Sequence, residues 1–297
     1  MGRVGDPISC GGTVAEGASN FIVGNGNEQL RNKLMCEHNE ILTRYTRKRD
    51  DDIFFCLPLI AEHFGNNAFF EKDKKGWFYL RDMFYKWLSG KANADANKNP
   101  SPFWVDIDWV LDFWVVNWIW DFELPYYIIN EHAIESLKSI LIKYNYLIKQ
   151  NKEFDFINSP WEMWKPYYHQ YYPIHGSIGG ILGGVYAALG DFTIRFLTKG
   201  KIEYLGNSQY TLIIEQAAGF VYDVFNFEGE QGFGYWSCEK KQISINAPNY
   251  DDYKEVSNKR FREFREDNKI GNDFLVLSQP KIIDNFSQFT YHFIYDN

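Results

Sequence analysis

The spacing of hydrophobic and polar positions changes along the chain, and the changes mark its parts. From residue 53 to about 153 the period is helical. Phe78, Met83, Phe84, Trp87 and Leu88 fall at or near helical spacing and stop at Ser89-Gly90. Ile134, Leu137, Ile140, Leu141, Tyr144 and Ile148 follow the same spacing and predict a helix over 131–152. Between them, Trp104, Ile107, Trp109, Leu111, Trp114, Val115 and Trp118 predict one broad helical face, after a polar loop from Lys91 to Pro102. From Asp191 the period becomes two: Phe192, Ile194 and Phe196 alternate with Thr193, Arg195 and Leu197. Lys201–Leu205 and Tyr210–Glu215 flank Gly206-Asn207-Ser208 and predict a hairpin. Phe220–Phe227, Gly232–Ser237, Phe274–Leu277 and Phe286–Tyr295 predict further strands. Ser257 or Asn258 caps a short helix to about Asp267, with Phe261 and Phe264 inward.

These elements predict an α+β fold in three parts. Residues 1–46 form a short, β-rich, glycine-rich segment. Residues 53–175 are a helical, aromatic-rich region. Residues 176–297 are a twisted antiparallel sheet, half-barrel-like, with one packed helix. The charge run at 47–52 reads as a solvated turn at the first boundary. In Gly176–Gly190 small residues recur at four-residue spacing, which lets a helix pack very closely. Its expected partner is the protein's own sheet; the alternative is a bilayer.

Composition narrows the function. A net charge of −8 argues against nucleic acid, which needs a basic footprint. The opening lacks a basic region followed by an apolar one, so no secretory signal is expected. Phe103–Trp120 carries Asp106, Asp108 and Asp112, too many carboxylates for a membrane span, and Ile178–Leu189 is too short. Four cysteines, Cys10, Cys36, Cys56 and Cys238, do not make a disulfide scaffold.

Chemistry is expected around residues 219–236, where aromatic runs flank an acidic, glycine-rich turn. Asp223, Asn226, Glu228 and Glu230 cluster there. Arg262 and Arg265 lie three apart on one helical face and can clamp a phosphate. Carboxylates facing such a clamp can hold Mg²⁺ or act as a general base, the requirements of phosphodiester hydrolysis. The plain alternative is that the arginines pair with Glu263, Glu266 or solvent and that Asp223 ends a strand. His169 and His175, among tyrosines and prolines, read as structural.

Three resemblances extend this reading. Arg3-Val4-Gly5-Asp6-Pro7, then Cys10-Gly11-Gly12-Thr13-Val14 and Gly17, resembles the opening of PAAR-repeat proteins, the zinc-bound cones that tip the type VI secretion spike. Cys10, Cys36 and His38 suit tetrahedral zinc, although that family places histidine where Cys10 stands. The bland alternative is a glycine-rich extension with buried thiols. Residues 189–285 resemble an uncharacterised family encoded beside PAAR and spike genes, through Leu189–Ile194, Tyr222–Phe227, Gly232–Trp236, Ser257–Arg265 and Gly271–Ser278. The order of strand, hairpin and Tyr222-Asp223 turn is distantly similar to the colicin M catalytic domain, which cleaves a lipid-linked peptidoglycan precursor with Mg²⁺. Asp223 matches the first Asp of that motif; Phe225 and Asn226 replace its Tyr and second Asp, and its His-Arg pair has no counterpart.

The resemblances imply an antibacterial type VI effector. It would be made in the bacterial cytoplasm and secreted into a target cell, into its periplasm, there to hydrolyse a lipid-linked precursor. The implied partners are a spike protein and a cognate immunity protein. A membrane-perturbing toxin using 176–190 and 103–121, and a non-enzymatic spike adaptor, are the alternatives.

Overall fold

A computed structural model describes residues 53–99, 101–175, 183–246, 248 and 251–296. Residues 1–46, with Cys10, Cys36 and His38, lie outside the described residues, as does much of the glycine-rich stretch. The chain divides into two compact units. One takes in the described part of Met1–His63 with Leu80–Ala94 and Phe227–Asp273; the other takes in Phe64–Tyr79, Asp95–Asn226 and Phe274–Asn297.

The larger unit is built on one curled, mostly antiparallel sheet. Its spine is the hairpin of β4 (Phe192–Gly206) and β5 (Gln209–Phe225). Asn207 and Ser208 turn it with φ of 50° and 61°, the paired positive values of the two-residue turn that matches strand twist. β2 (Lys152–Asp155) and β3 (Tyr171–Ile174) pair with β4. β9 (Phe274–Ser278), β10 (Lys281–Ile282) and β11 (Phe289–Ile294) pair with β5. β1 (Phe103–Val105) runs parallel to β9.

The α+β architecture agrees with the sequence reading, with three local differences. The helix expected over 131–152 stops at Lys143, and Lys152–Asp155 is a strand. Phe103–Val105 is a strand too, so the expected single face of 103–121 is divided. Trp109 is buried while Trp114 and Trp118 are exposed. A short helix does follow the glycines, over Gly184–Leu189, but its glycine meets a helix rather than a sheet. A Cβ on Gly76 of the helix Glu71–Ser89 would lie 2.2 Å from the Gly184 carbonyl oxygen, and Asp73 Oδ1 accepts from Gly184 N at 2.9 Å. That approach requires glycine on both sides. The core joins Ile134, Leu137 and Leu141 to Phe154, Phe156, Leu212 and Phe220.

The smaller unit packs an aromatic core around β6 (Gly232–Ser237), β7 (Gln242–Ser244), β8 (Tyr253–Ser257) and the helix Asn258–Asn268. Ser257 caps that helix by accepting from Arg260 N. Phe261 and Phe264 point inward as expected, and Phe261 stacks on Phe227 at a centroid distance of 3.5 Å. Trp87 meets both Phe227 and Phe261 edge-on. Cys56 and Cys238 are joined by a disulfide across 182 residues of sequence.

Candidate functional site

The residues singled out by sequence fall into two groups. Asp223 and Asn226 belong to the larger unit; Glu228, Glu230, Arg262 and Arg265 belong to the smaller one.

Within the smaller unit, Arg262 organises the turn before β6. Its Nη1 donates to the carbonyls of Phe227 and Gly229 at 2.8 and 2.7 Å, and Nη2 lies 3.3 Å from Glu230 Oε1. Asn258 donates to the Glu228 carbonyl, closing the same turn. Glu228 and Glu230 themselves point to solvent. Arg265 lies deeper. Its Nη1 is 2.8 Å from Oδ2 of the fully buried Asp273, whose Oδ1 accepts from Trp87 Nε1 at 2.9 Å. Burial raises the Asp273 carboxyl above its ordinary range, against the pull of Arg265 and Trp87. Arg262 and Arg265 share a helix but face a turn and a buried carboxylate respectively.

Asp223 sits near the end of β5 opposite Val276 of β9. Alternation puts its side chain on the face of Val221 and Phe225, both buried. Burial among apolar groups pushes its carboxyl up to about 7; the amide of Val224 works against the shift, and the charge of Asp191 adds to it. Asp191 is brought there by register. Thr193 pairs with Tyr222, so the residues just before β4 lie beside the end of β5. Gly190 makes the entry possible: it ends the preceding helix with φ 58° and ψ −125°, a conformation open to glycine. Thr193 Oγ1 donates to the Tyr222 carbonyl at 3.0 Å and ties the two strands at this point. His175, just after β3, places Nδ1 3.3 Å from Asp191 Oδ2, and both side chains are largely exposed.

Asp191 is thus the link at this end of the sheet: its charge is felt at Asp223, and its carboxylate meets His175. A half-buried carboxyl that titrates near neutrality stands beside an exposed carboxylate that carries an imidazole. Two carboxyl groups held in unlike environments can divide acid and base roles. Sequence reasoning found Asp223 but not Asp191, although it lay in view in Leu-Gly-Asp-Phe-Thr-Ile. Only strand register brings the two together. His169, by contrast, is buried, and burial lowers its imidazole to about 4, so it is neutral at physiological pH.

Among the described residues no group of three or more His, Cys, Asp or Glu is gathered as a metal site. No described helix is long and apolar enough to cross a membrane. The profile of a family described as "Family of unknown function (DUF6402)" matches residues 73–293. No curated protein and no solved structure matches the chain.

Proposed function

The chain belongs to the DUF6402 family, and we propose that it is an antibacterial type VI effector that hydrolyses a lipid-linked precursor in the target envelope. The observation that carries the chemistry is Asp223, whose carboxyl burial raises to about 7 at the end of the large sheet where the Asp191–His175 pair also lies. Asp223 is the general base. A carboxyl poised near pH 7 has both a substantial ionised fraction and enough basicity to take a proton from water. Burial keeps Asp223 from ionising early, with the charge of Asp191 adding to it, and His175 orients Asp191. Asp191 is also the carboxylate that would take Mg²⁺ arriving on a phosphate substrate, which would supply charge neutralisation there. The Cys56–Cys238 disulfide supports an oxidising site of action such as a periplasm. Delivery rests on the likeness of residues 1–46 to spike-tip proteins.

A second reading has its own observation. Trp114, Trp118, Phe122 and Tyr126 are all exposed and recur every four residues, while Val116, Trp120, Leu124 and Ile128 on the other side are buried. Such an aromatic row suits the boundary between headgroups and acyl chains, so it favours a toxin that perturbs membranes from their surface.

One experiment separates the readings. The chain is expressed in a susceptible bacterium with and without an added periplasmic signal, alongside Asp223→Ala and Trp114→Ser/Phe122→Ser. Killing confined to the periplasmic form and lost in Asp223→Ala is the expected result. Periplasmic killing that survives Asp223→Ala but is lost in the aromatic variant moves the assignment to membrane perturbation. Killing from the cytosol refutes both.

A further inference from the structure

The opposite face of the large sheet carries a second feature. Directly paired residues on neighbouring strands project from the same face. Arg195 pairs with Phe220, and Tyr222 pairs with both Thr193 and Leu277. Asp223, one residue on from Tyr222, faces the other way. Phe220, Tyr222, Leu275 and Leu277 line an open cleft of about 240 Å³. The helix Trp161–Tyr167 supplies Trp161 and Trp164 as its cover, and Tyr168 follows the end of that helix. The Trp164 and Phe220 rings approach to 4.8 Å between centroids. The polar groups of the cleft are Asn97, Asn99, Glu162 and Lys165.

Arg195 decides what this cleft prefers. Its guanidinium carbon lies 3.3 Å from the Tyr222 ring centroid and 4.3 Å from that of Tyr168. Both rings are cleft walls, so a cation is clamped between two walls of the cavity. Its Nε is 3.5 Å from Thr193 Oγ1, and its Nη1 is buried with no hydrogen-bond partner. Among the described residues it forms no ion pair. Cation–π contact and a side-chain hydrogen bond with Tyr222 hold the group in place, but neither gives Nη1 an acceptor, and a buried charged donor without one is costly. The missing acceptor is therefore anionic or strongly polar.

We propose that this cleft binds a small molecule that joins a flat ring to a carboxylate or phosphate group. The ring stacks against the aromatic walls, where offset and edge-on contacts favour planar partners. The anion lies toward Arg195 and Lys165, whose two positive charges outweigh that of Glu162. The volume falls below the usual range of about 300–1,000 Å³ for drug-sized ligands, which restricts the ligand to one or two rings. Arg195 lies behind the Tyr168 and Tyr222 rings rather than on the cleft lining, so the anion reaches Nη1 only if the Tyr168 ring gives way. The site is on the other face of the sheet from Asp223 and is independent of the hydrolytic reading.

The test is calorimetric titration of the full chain with three probes: 1-naphthoate, 1-naphthyl phosphate and neutral 1-naphthalenemethanol. At least one anionic probe is expected to bind with a submillimolar Kd, and the neutral probe at least tenfold more weakly. Arg195→Met, which keeps the packed stem and removes the charge, is expected to abolish that preference. Lys165→Gln lies on an exposed position where folding is not at stake, and it should reduce the preference several-fold. Trp161→Ala should weaken all three probes. Whether carboxylate or phosphate binds more tightly identifies the anion. No binding at millimolar concentration, equal binding of neutral and anionic probes, or an anion preference that survives both Arg195→Met and Lys165→Gln overturns the proposal.

Discussion

Reduction of the Cys56–Cys238 disulfide should destabilise the smaller unit by several kcal/mol. The bridge spans 182 residues of sequence, so its absence releases a very long loop in the unfolded chain. Chain entropy for a loop of that length amounts to about 5 kcal/mol at 25 °C, and measured values for native bridges run about 2–5 kcal/mol. The smaller unit is assembled from three separate stretches of sequence, the situation in which a covalent tie contributes most. Cys238 is exposed, so mild reductant reaches it in the folded protein. The assay is urea unfolding followed by fluorescence, with and without reductant, beside Cys56→Ser/Cys238→Ser. With a urea m-value of about 2 kcal/mol/M, the midpoint of the transition should fall by roughly 1–2 M. The double variant should match the reduced wild type and be insensitive to reductant. Superposition of oxidised and reduced curves would refute the reasoning. So would alkylation of Cys56 and Cys238 in the native, unreduced chain, mapped by peptide mass.

Two further predictions concern buried charge. Asp223 has a folded pKa of about 7, raised above its ordinary value, so the native state holds a proton that the unfolded state has already lost. Its contribution to stability is therefore whole below about pH 4 and falls as pH rises through 7. Asp223→Asn should leave stability unchanged near pH 3.5 and raise it relative to wild type by roughly 2 kcal/mol at pH 8, about half the full linkage value because the residue is partly exposed. Denaturant midpoints across that range check the sign, and a constant difference between the two proteins would contradict it. Arg265→Met strands Asp273 in the interior, with Trp87 Nε1 still donating to Oδ1. A loss of about 3–5 kcal/mol is expected, most of it recovered in Arg265→Met/Asp273→Leu; thermal unfolding of the single and double variants measures both.

Much of the secondary structure was legible because it is written in local periodicity. The positions of β6, the helix from 258 and the strand from 274 follow from alternation, a serine cap and two inward phenylalanines. The hairpin turn at Asn207-Ser208 is favoured by Asn207, which tolerates positive φ. The middle of the chain was harder. Phe103–Val105 and Lys152–Asp155 are strands of three and four residues, too short to show a period, and each exists because a neighbouring strand offers it a ladder. Arg262 and Arg265 illustrate the same limit for chemistry. Helical spacing placed them together, but a face gives no account of what lies opposite it, and the structure gives one a turn and the other a buried carboxylate.

By itself the sequence determined the α+β class, the hairpin at the centre of the large sheet and the unusual position of Asp223 in an apolar strand. Those features depend on steric preference and on side chains within a few residues of one another. Tertiary structure alone decided that the Asp191 charge is felt at Asp223 and that His175 meets Asp191, that Arg195 is clamped between Tyr168 and Tyr222, and that Cys56 reaches Cys238. Each of these depends on strand register or on chain segments distant in sequence. A shift of one residue in pairing would turn every one of those strand side chains to the other face.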